Sequence, residues 1–169
     1  MLKKILFTFL TLLVVYSTCV VAYRVFEPRD NQATNDTSSM LAYDSLKSYV
    51  EDSNSSIHYF FFYSAINNNS IYLKDTILTS VESEINKSLS SIIEVVDITE
   101  LDQKLETKRL SEDWSVSSYP AFISVSYNNG EITINNKLEW TNEKSITSTD
   151  VINWLELNGL YETKQTAQN

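Results

Sequence analysis

The chain has very few of the residues that build disulfide scaffolds, phosphate-binding loops and metal sites. It has 169 residues, of which one is cysteine, one is histidine and two are glycine. Because Cys19 is the only cysteine, no intrachain disulfide can form. Gly130 and Gly159 cannot build a glycine-rich phosphate loop, and His58 has no cysteine or second histidine with which to hold zinc. We therefore expect no metal and no other cofactor.

Basic residues are scarce beyond the first thirty positions. Four of the thirteen Lys and Arg and two of the twenty-two Asp and Glu precede residue 31, so the remainder carries a net charge of −11. A domain with this charge is repelled by phosphate backbones and by anionic lipid headgroups. We therefore expect that nucleic acid is not a partner.

One long apolar run lies near the N-terminus. Residues 5–22 are eighteen residues without a charge, and Lys3 and Lys4 precede them. A helix needs about 17–25 apolar residues to cross a bilayer, so we predict a signal-anchor or transmembrane segment at 1–23. The basic N-terminus favours a single-pass protein of the cell membrane whose domain faces outside. The alternative is a cleaved signal peptide, with secretion after cleavage near Ala22.

A polar stretch follows the apolar run. Residues 24–39 have no apolar period beyond their first few positions and have the composition of a flexible stalk. A chain of this length is sufficient for one ordinary core, so we expect a single domain at 40–161 and a flexible tail at 162–169.

The first half of the domain predicts a helix, a strand, a helix and a strand. Apolar residues recur at helical spacing in 40–52 and again in 73–89. Residues 57–63 and 91–98 are aromatic or β-branched runs that are typical of strands. Two strands joined through one long helix predict parallel pairing, with the strand at 57–63 in the centre of the sheet.

The next segment predicts a shorter helix. It extends from Thr99 to Trp114, with Thr99 as its N-cap and Asp102 in its first turn. Leu105 is expected on its inward face. Asp97, just before this helix, is expected in a solvated turn.

The last part of the domain predicts a hairpin and a final helix. Residues 122–127 and 131–134 alternate as strands on either side of an Asn-Asn-Gly turn. Ser148 is expected to cap the last helix and Gly159 to end it. The predicted order is therefore α-β-α-β-α-β-β-α, an α/β fold with four strands in a mixed sheet.

Two short motifs resemble the thioredoxin superfamily. Phe62-Tyr63-Ser64 leaves the first strand in the way that superfamily members often do before two further residues and Cys-x-x-Cys. Those cysteine positions fall here on Asn67 and Ser70. Tyr119-Pro120-Ala121-Phe122 is similar to the loop in which these proteins carry a cis-proline before a strand. The resemblance implies a thioredoxin-like domain over roughly 40–161 and favours a cis peptide bond before Pro120.

The resemblance also implies where a partner binds. In the superfamily, backbone groups of the residue before the proline pair with a bound peptide, and that residue here is Tyr119. Disulfide exchange needs a thiolate, which neither an amide nor an unactivated hydroxyl supplies. The expected protein is a redox-inactive, membrane-anchored domain that binds a peptide or protein partner, with no catalytic residue. The candidate binding residues are Asn67, Asn68, Asn69, Ser70, Tyr119 and Pro120.

Two alternative functions remain open. The chain resembles small bacterial thiol-disulfide isomerase-like proteins with an N-terminal anchor, including accessory proteins of bacteriocin export, which ordinarily keep their cysteines. An oxidoreductase of this kind is the first alternative, and it requires Cys19 or a partner's thiols. The second alternative is a structural subunit of a membrane complex.

Overall fold

The computed structural model describes residues 40–53 and 57–162. These residues form strands and α-helices in the following order: β1 Leu41–Ala42, α1 Leu46–Asp52, β2 Ile57–Tyr63, α2 Asn68–Tyr72, α3 Thr79–Ile85, β3 Glu94–Asp97, α4 Thr99–Gln103, α5 Lys108–Trp114, β4 Ala121–Asn128, β5 Glu131–Glu139 and α6 Ser148–Leu157. Shorter helical segments complete the order: 3₁₀ turns at Tyr43–Ser45 and Leu89–Ser91, and a π-helical segment at Leu73–Leu78.

The described strands form one mixed sheet with the order β1-β3-β2-β4-β5. β3 is parallel to both β1 and β2, whereas β4 is antiparallel to β2 and to β5. Phe61 of β2 lies opposite Val95 on one side and Phe122 on the other. β2 is therefore the central strand, and its parallel pairing with β3 is confirmed. The α/β architecture, a mixed sheet with flanking helices in thioredoxin-like order, is confirmed as well.

Each face of the sheet has its own core because successive strand side chains point to opposite faces. Phe60 and Phe62 are fully buried in one core, which also contains Trp114. Phe61 is fully buried in the other, with Trp154. The aromatic run of β2 thus supplies both cores, which explains why so apolar a segment occupies the middle of the sheet.

The start of the domain differs from the prediction. Residues 40–52 were expected to form one helix, but Leu41 and Ala42 pair with Val96 and Asp97 and add a fifth strand. This short pairing covers part of the open edge of β3, which would otherwise leave backbone hydrogen-bonding groups unpaired. Helical periodicity is a local pattern and does not reveal such a pairing. The strand expected at 91–98 is correspondingly shorter, because a 3₁₀ turn ends at Ser91.

The long helix expected at 73–89 lies nearer the N-terminus and changes its helix type along its length. A π-helical segment separates α2 from α3, and α3 ends at Ile85, where Asn86 takes a left-handed conformation with φ of 52°. The buried residues Leu73, Val81 and Leu89 nevertheless point to one core, as their spacing predicted. The apolar period was correct, but the helix ends at Ile85 instead of continuing to residue 89.

The single helix expected from Thr99 to Trp114 is two helices. Leu105 lies between them at φ 58° and is 88% exposed, so its predicted inward position is wrong. The chain turns there because the Glu106 N–H closes back onto the Leu101 carbonyl at 2.8 Å. Leu101 and Leu110 then both reach the core without Leu105.

The N-caps of α4 and α6 were each predicted at the wrong residue, whereas the Asn-Asn-Gly turn is confirmed. Ile98 is the N-cap of α4, and the exposed Asp97 side chain accepts from the Thr99 N–H at 2.9 Å. Thr147, not Ser148, caps α6, in a reciprocal capping box with Asp150. The Asn-Asn-Gly turn joins β4 to β5, and Gly159 follows α6 at φ 68°.

The N-terminal predictions fall outside the described residues. These are the membrane segment at 1–23 and the stalk at 24–39, and the tail at 162–169 lies outside them apart from its first residue. No helix within 40–53 and 57–162 has the length and apolar character that crossing a bilayer demands.

Candidate functional site

The predicted site residues come from two segments that meet at the carboxyl end of β2. The strand ends at Tyr63, and the turn that follows carries Asn67 to Ser70. β4 begins at Ala121, which pairs with Phe62, so the Tyr119–Pro120 loop lies beside the same end of β2. The antiparallel register therefore brings the turn and the proline loop together.

Asn67 is the N-cap residue of α2. Its side-chain oxygen accepts from the Ser70 N–H at 3.0 Å, which satisfies a backbone donor that the helix cannot. Asn68 and Asn69, in the first turn, are exposed, whereas Ser70 is fully buried. Among the described residues, nothing hydrogen-bonds to the Ser70 hydroxyl. Asn67 and Ser70, on which the resemblance places the two cysteines, are therefore a helix cap and a buried site one turn later.

The proline loop has the geometry that the resemblance implied. The Tyr119–Pro120 peptide bond is cis, and Pro120 is buried. The Pro120 carbonyl accepts from the Trp140 N–H at 2.9 Å, which fixes the loop against the end of β5. Tyr119 is half-buried and faces the turn, close enough for the Asn67 side chain to act on its hydroxyl.

Asp102, in α4, is the site residue whose role sequence reasoning missed. One of its oxygens accepts from the Tyr119 hydroxyl at 2.6 Å, and the other accepts from the Ser64 hydroxyl at 2.7 Å. Ser64 is fully buried at the exit of β2. Asp102 therefore links β2, α4 and the proline loop. The sequence placed it in the first turn of a helix, where an acid is explained by the helix dipole alone.

Burial and this carboxylate act on Tyr119. Burial, followed by the hydrogen bond to Asp102, raises the pKa of Tyr119 to about 12, against a small opposing effect of Asn67. The hydroxyl therefore remains protonated at neutral pH and donates to Asp102.

Exposed apolar side chains surround the polar turn. Ile66 is 52% exposed and Tyr72 is 49% exposed. The Tyr72 ring lies edge-on to the Trp140 ring, with centroids 6.3 Å apart. Sequence analysis did not single out these three residues, because each belongs to a different element. Together they give the site an apolar border of the kind found at binding surfaces.

Two side chains of β5 hold the loop before Tyr119. The Glu139 carboxylate accepts from the Ser117 N–H at 2.5 Å, and Lys137 Nζ donates to the Ser115 carbonyl at 2.6 Å. Lys137 and Glu139 also pair with each other at 3.1 Å. The loop is thus fixed on both sides, by Asp102 through Tyr119 and by β5.

The site can form hydrogen bonds and apolar contacts, and the described residues give it no thiol. Within 40–53 and 57–162 there is no cysteine. The Ser64 hydroxyl is fully buried and donates to Asp102, and His58, the only histidine, lies at the opposite end of β2. The described residues contain no group of three metal-ligating side chains.

No protein-family profile and no curated protein matches this chain. Its fold is similar to solved thioredoxin structures. That of Trichomonas vaginalis is 15% identical, with a TM-score of 0.43, over 70% of this chain and 96% of the other. The Thermus thermophilus thioredoxin is 17% identical, with a TM-score of 0.45, over 72% of this chain and 88% of the other. The reduced Schistosoma mansoni thioredoxin pre-protein is 13% identical, with a TM-score of 0.42, over 70% and 93%.

Proposed function

We propose that this chain is a thioredoxin-like binding domain without disulfide chemistry, which holds an extended peptide segment of a partner protein beside the Tyr119–Pro120 loop. The position of Asn67 and Ser70 carries the proposal. The fold places an amide at the helix cap and a hydroxyl at the buried site beside this loop, so the surface persists without a thiolate.

The surroundings of the turn support peptide binding. Ile66 and Tyr72 expose apolar area on either side of Asn67, with Trp140 against Tyr72. An extended segment gains affinity from main-chain hydrogen bonds and specificity from contacts of its side chains with such apolar areas. Backbone groups of Tyr119 supply the main-chain partners in this proposal, and Asn67 supplies an amide.

The fixed geometry of the loop favours affinity. Asp102 holds the Tyr119 hydroxyl, and Glu139 holds the Ser117 N–H. A loop that is already ordered loses little conformational entropy when a peptide binds. In this proposal, the Asp102 carboxylate serves to keep the loop ordered for binding.

We also propose that residues 5–22 anchor the chain in the cell membrane, with the domain outside the cytoplasm. The length of the apolar run and the basic residues before it support this. Protease added to spheroplasts should digest the domain and leave a membrane-embedded fragment. Complete protection contradicts the orientation. Recovery of a shortened chain in the medium supports secretion after cleavage near Ala22.

Peptide recognition is tested by selection from a library. The full chain in neutral detergent is panned against displayed random peptides, and selected peptides are measured on Ile66→Asp and Thr133→Asp variants. Thr133 is exposed on β5 and serves as the matched control. We expect at least about tenfold weaker binding to Ile66→Asp, equivalent to about 1.4 kcal/mol, and unchanged binding to Thr133→Asp.

Other outcomes contradict the proposal. Peptides that lose affinity equally on both variants do not bind at the turn. If no peptide is enriched and the chain purifies in a stoichiometric membrane complex, the structural-subunit alternative is supported instead. Disulfide reductase activity of the unaltered chain overturns the absence of redox chemistry.

A further inference from the structure

A polar cavity lies at the amino ends of β2 and β3, at the opposite end of the central strand from Asn67. Its volume is about 320 Å³, within the range of small-molecule sites. Tyr49, His58, Tyr59, Ser90, Ser91 and Glu94 contribute to its lining. The described residues that line it include one carboxylate and no lysine or arginine.

Both oxygens of that carboxylate lie beside a hydrogen-bond donor. The Tyr49 hydroxyl donates to one Glu94 oxygen, and His58 Nδ1 lies 3.4 Å from the other. Because a carboxylate only accepts hydrogen bonds, Nδ1 carries the ring proton. Nε2 is buried and has no hydrogen-bond partner among the described residues. Glu94 is therefore fixed in place, and no lysine or arginine of the described lining lies beside it.

The remaining lining suits an organic cation. The Tyr49 ring offers aromatic surface of the kind that attracts ammonium groups, and Ser90 and Ser91 add hydroxyl acceptors. The chain's net charge of −9 raises the local concentration of cations. A metal ion is a poorer fit, because the described residues contain no third His, Cys, Asp or Glu that could join His58 and Glu94.

We propose that this cavity binds an alkylammonium group, with Glu94 as its counter-ion and His58 as a positioning residue that orients Glu94. A free amine and the side chain of a lysine present the same group. The site is separate from the peptide surface at Asn67, so either can fail without the other.

The single histidine makes a direct test possible in the full chain. ¹⁵N-histidine labelling gives signals from His58 alone, recorded with the protein in neutral detergent. We expect the pattern of a ring that carries a proton on Nδ1. Titration with n-butylammonium should shift these signals in a saturable way, whereas 1-butanol, which has the same shape without the charge, should not.

Variants separate charge recognition from a general effect. Glu94→Gln should weaken the response at least about tenfold and shift the ring proton towards Nε2, whereas the exposed control Glu84→Gln should change neither. A response to Nα-acetyl-lysine amide as strong as that to n-butylammonium supports a lysine side chain, and a response to n-butylammonium alone supports a free amine. Equal shifts with 1-butanol, an undiminished response in Glu94→Gln, a ring proton on Nε2 in the parent, or no response to n-butylammonium overturns the proposal.

Discussion

Each end of β2 has a carboxylate beside a tyrosine hydroxyl and a second polar side chain, but the two carboxylates differ in their surroundings. At the Tyr63 end, Asp102 accepts from a tyrosine and from the buried Ser64 hydroxyl. At the His58 end, Glu94 accepts from a tyrosine and from an imidazole, but it lines a cavity. The first carboxylate shapes a surface by holding a loop. The second lines a cavity, and in our proposal it acts there as a counter-ion.

The two tyrosines report this difference. The pKa values of both Tyr119 and Tyr49 are raised to about 12. For Tyr119 the largest cause is burial, whereas for Tyr49 it is the hydrogen bond to Glu94. The pKa of Tyr119 is therefore set mainly by packing at the Tyr63 end, whereas the pKa of Tyr49 is set mainly by Glu94.

The largest expected effect is a gain of activity at the Tyr63 end. Asn67→Cys with Ser70→Cys should create a redox-active pair, because residue 67 caps a helix that stabilises a thiolate and residue 70 is buried beside it. The measurement is insulin reduction by the full chain, in which the parent should show no turnover.

A second double variant controls for spacing. Asn68→Cys with Ile71→Cys has the same separation along the helix but places the first cysteine beyond the cap. We expect little or no turnover from it. If the 67/70 pair forms no disulfide in a folded chain, the superfamily's turn has been assigned to the wrong residues.

The next effect compares the two carboxylates by their contribution to stability. Asp102→Ala leaves two donors without an acceptor, one of them the fully buried Ser64 hydroxyl. It should lower the free energy of unfolding by about 2–3 kcal/mol. Glu94→Ala should cost only about 1 kcal/mol, because the Glu94 side chain is 35% exposed and water can replace it.

Thermal unfolding followed by near-ultraviolet circular dichroism measures both changes. Glu100→Ala, on the same helix as Asp102 and paired only at the surface with Lys104, is the control and should cost less than about 1 kcal/mol. Equal costs for Asp102→Ala and Glu94→Ala remove the distinction between the two ends.

Much of this arrangement could be predicted from the sequence, and the reasons for the failures are physical. The aromatic run of β2 and the turn at Asn67 were correct because burial and helix capping are encoded locally. The role of Asp102 could not be predicted, since its partners Ser64 and Tyr119 are 38 and 17 positions away. The predicted inward position of Leu105 was wrong for a different reason. The apolar period continues through a turn that only tertiary packing reveals.

Removing the charge of each carboxylate should change the pKa values of the two tyrosines by different amounts. In Glu94→Gln we expect the pKa of Tyr49 to return towards about 10, because its main perturbation is lost. In Asp102→Asn the pKa of Tyr119 should stay raised, because burial remains. ¹³Cζ-tyrosine NMR as a function of pH measures both, and a larger fall for Tyr119 contradicts the comparison.

The same values predict an alkaline loss of stability. A folded pKa above the unfolded value of 10.0 means that each hydroxyl contributes stability below about pH 10, and this is lost as the pH rises towards 12. Glu94→Gln should reduce that loss more than Asp102→Asn does. Unfolding midpoints measured from about pH 9 to about pH 12 check this.

The smallest expected effect concerns Asn67, which caps α2 and which we propose also takes part in recognition. Asn67→Ala removes the acceptor of the Ser70 N–H and should lower the free energy of unfolding by about 1 kcal/mol, whereas the exposed Asn68→Ala should change it by less than about 0.5 kcal/mol. Serine caps helices as well as asparagine does, so Asn67→Ser should restore stability in thermal unfolding. It does not restore the amide beside Tyr119, so selected peptides should still bind more weakly. If Asn67→Ser recovers both properties, Asn67 acts only as a cap, and recognition at the Tyr63 end depends on the apolar border and the proline loop alone.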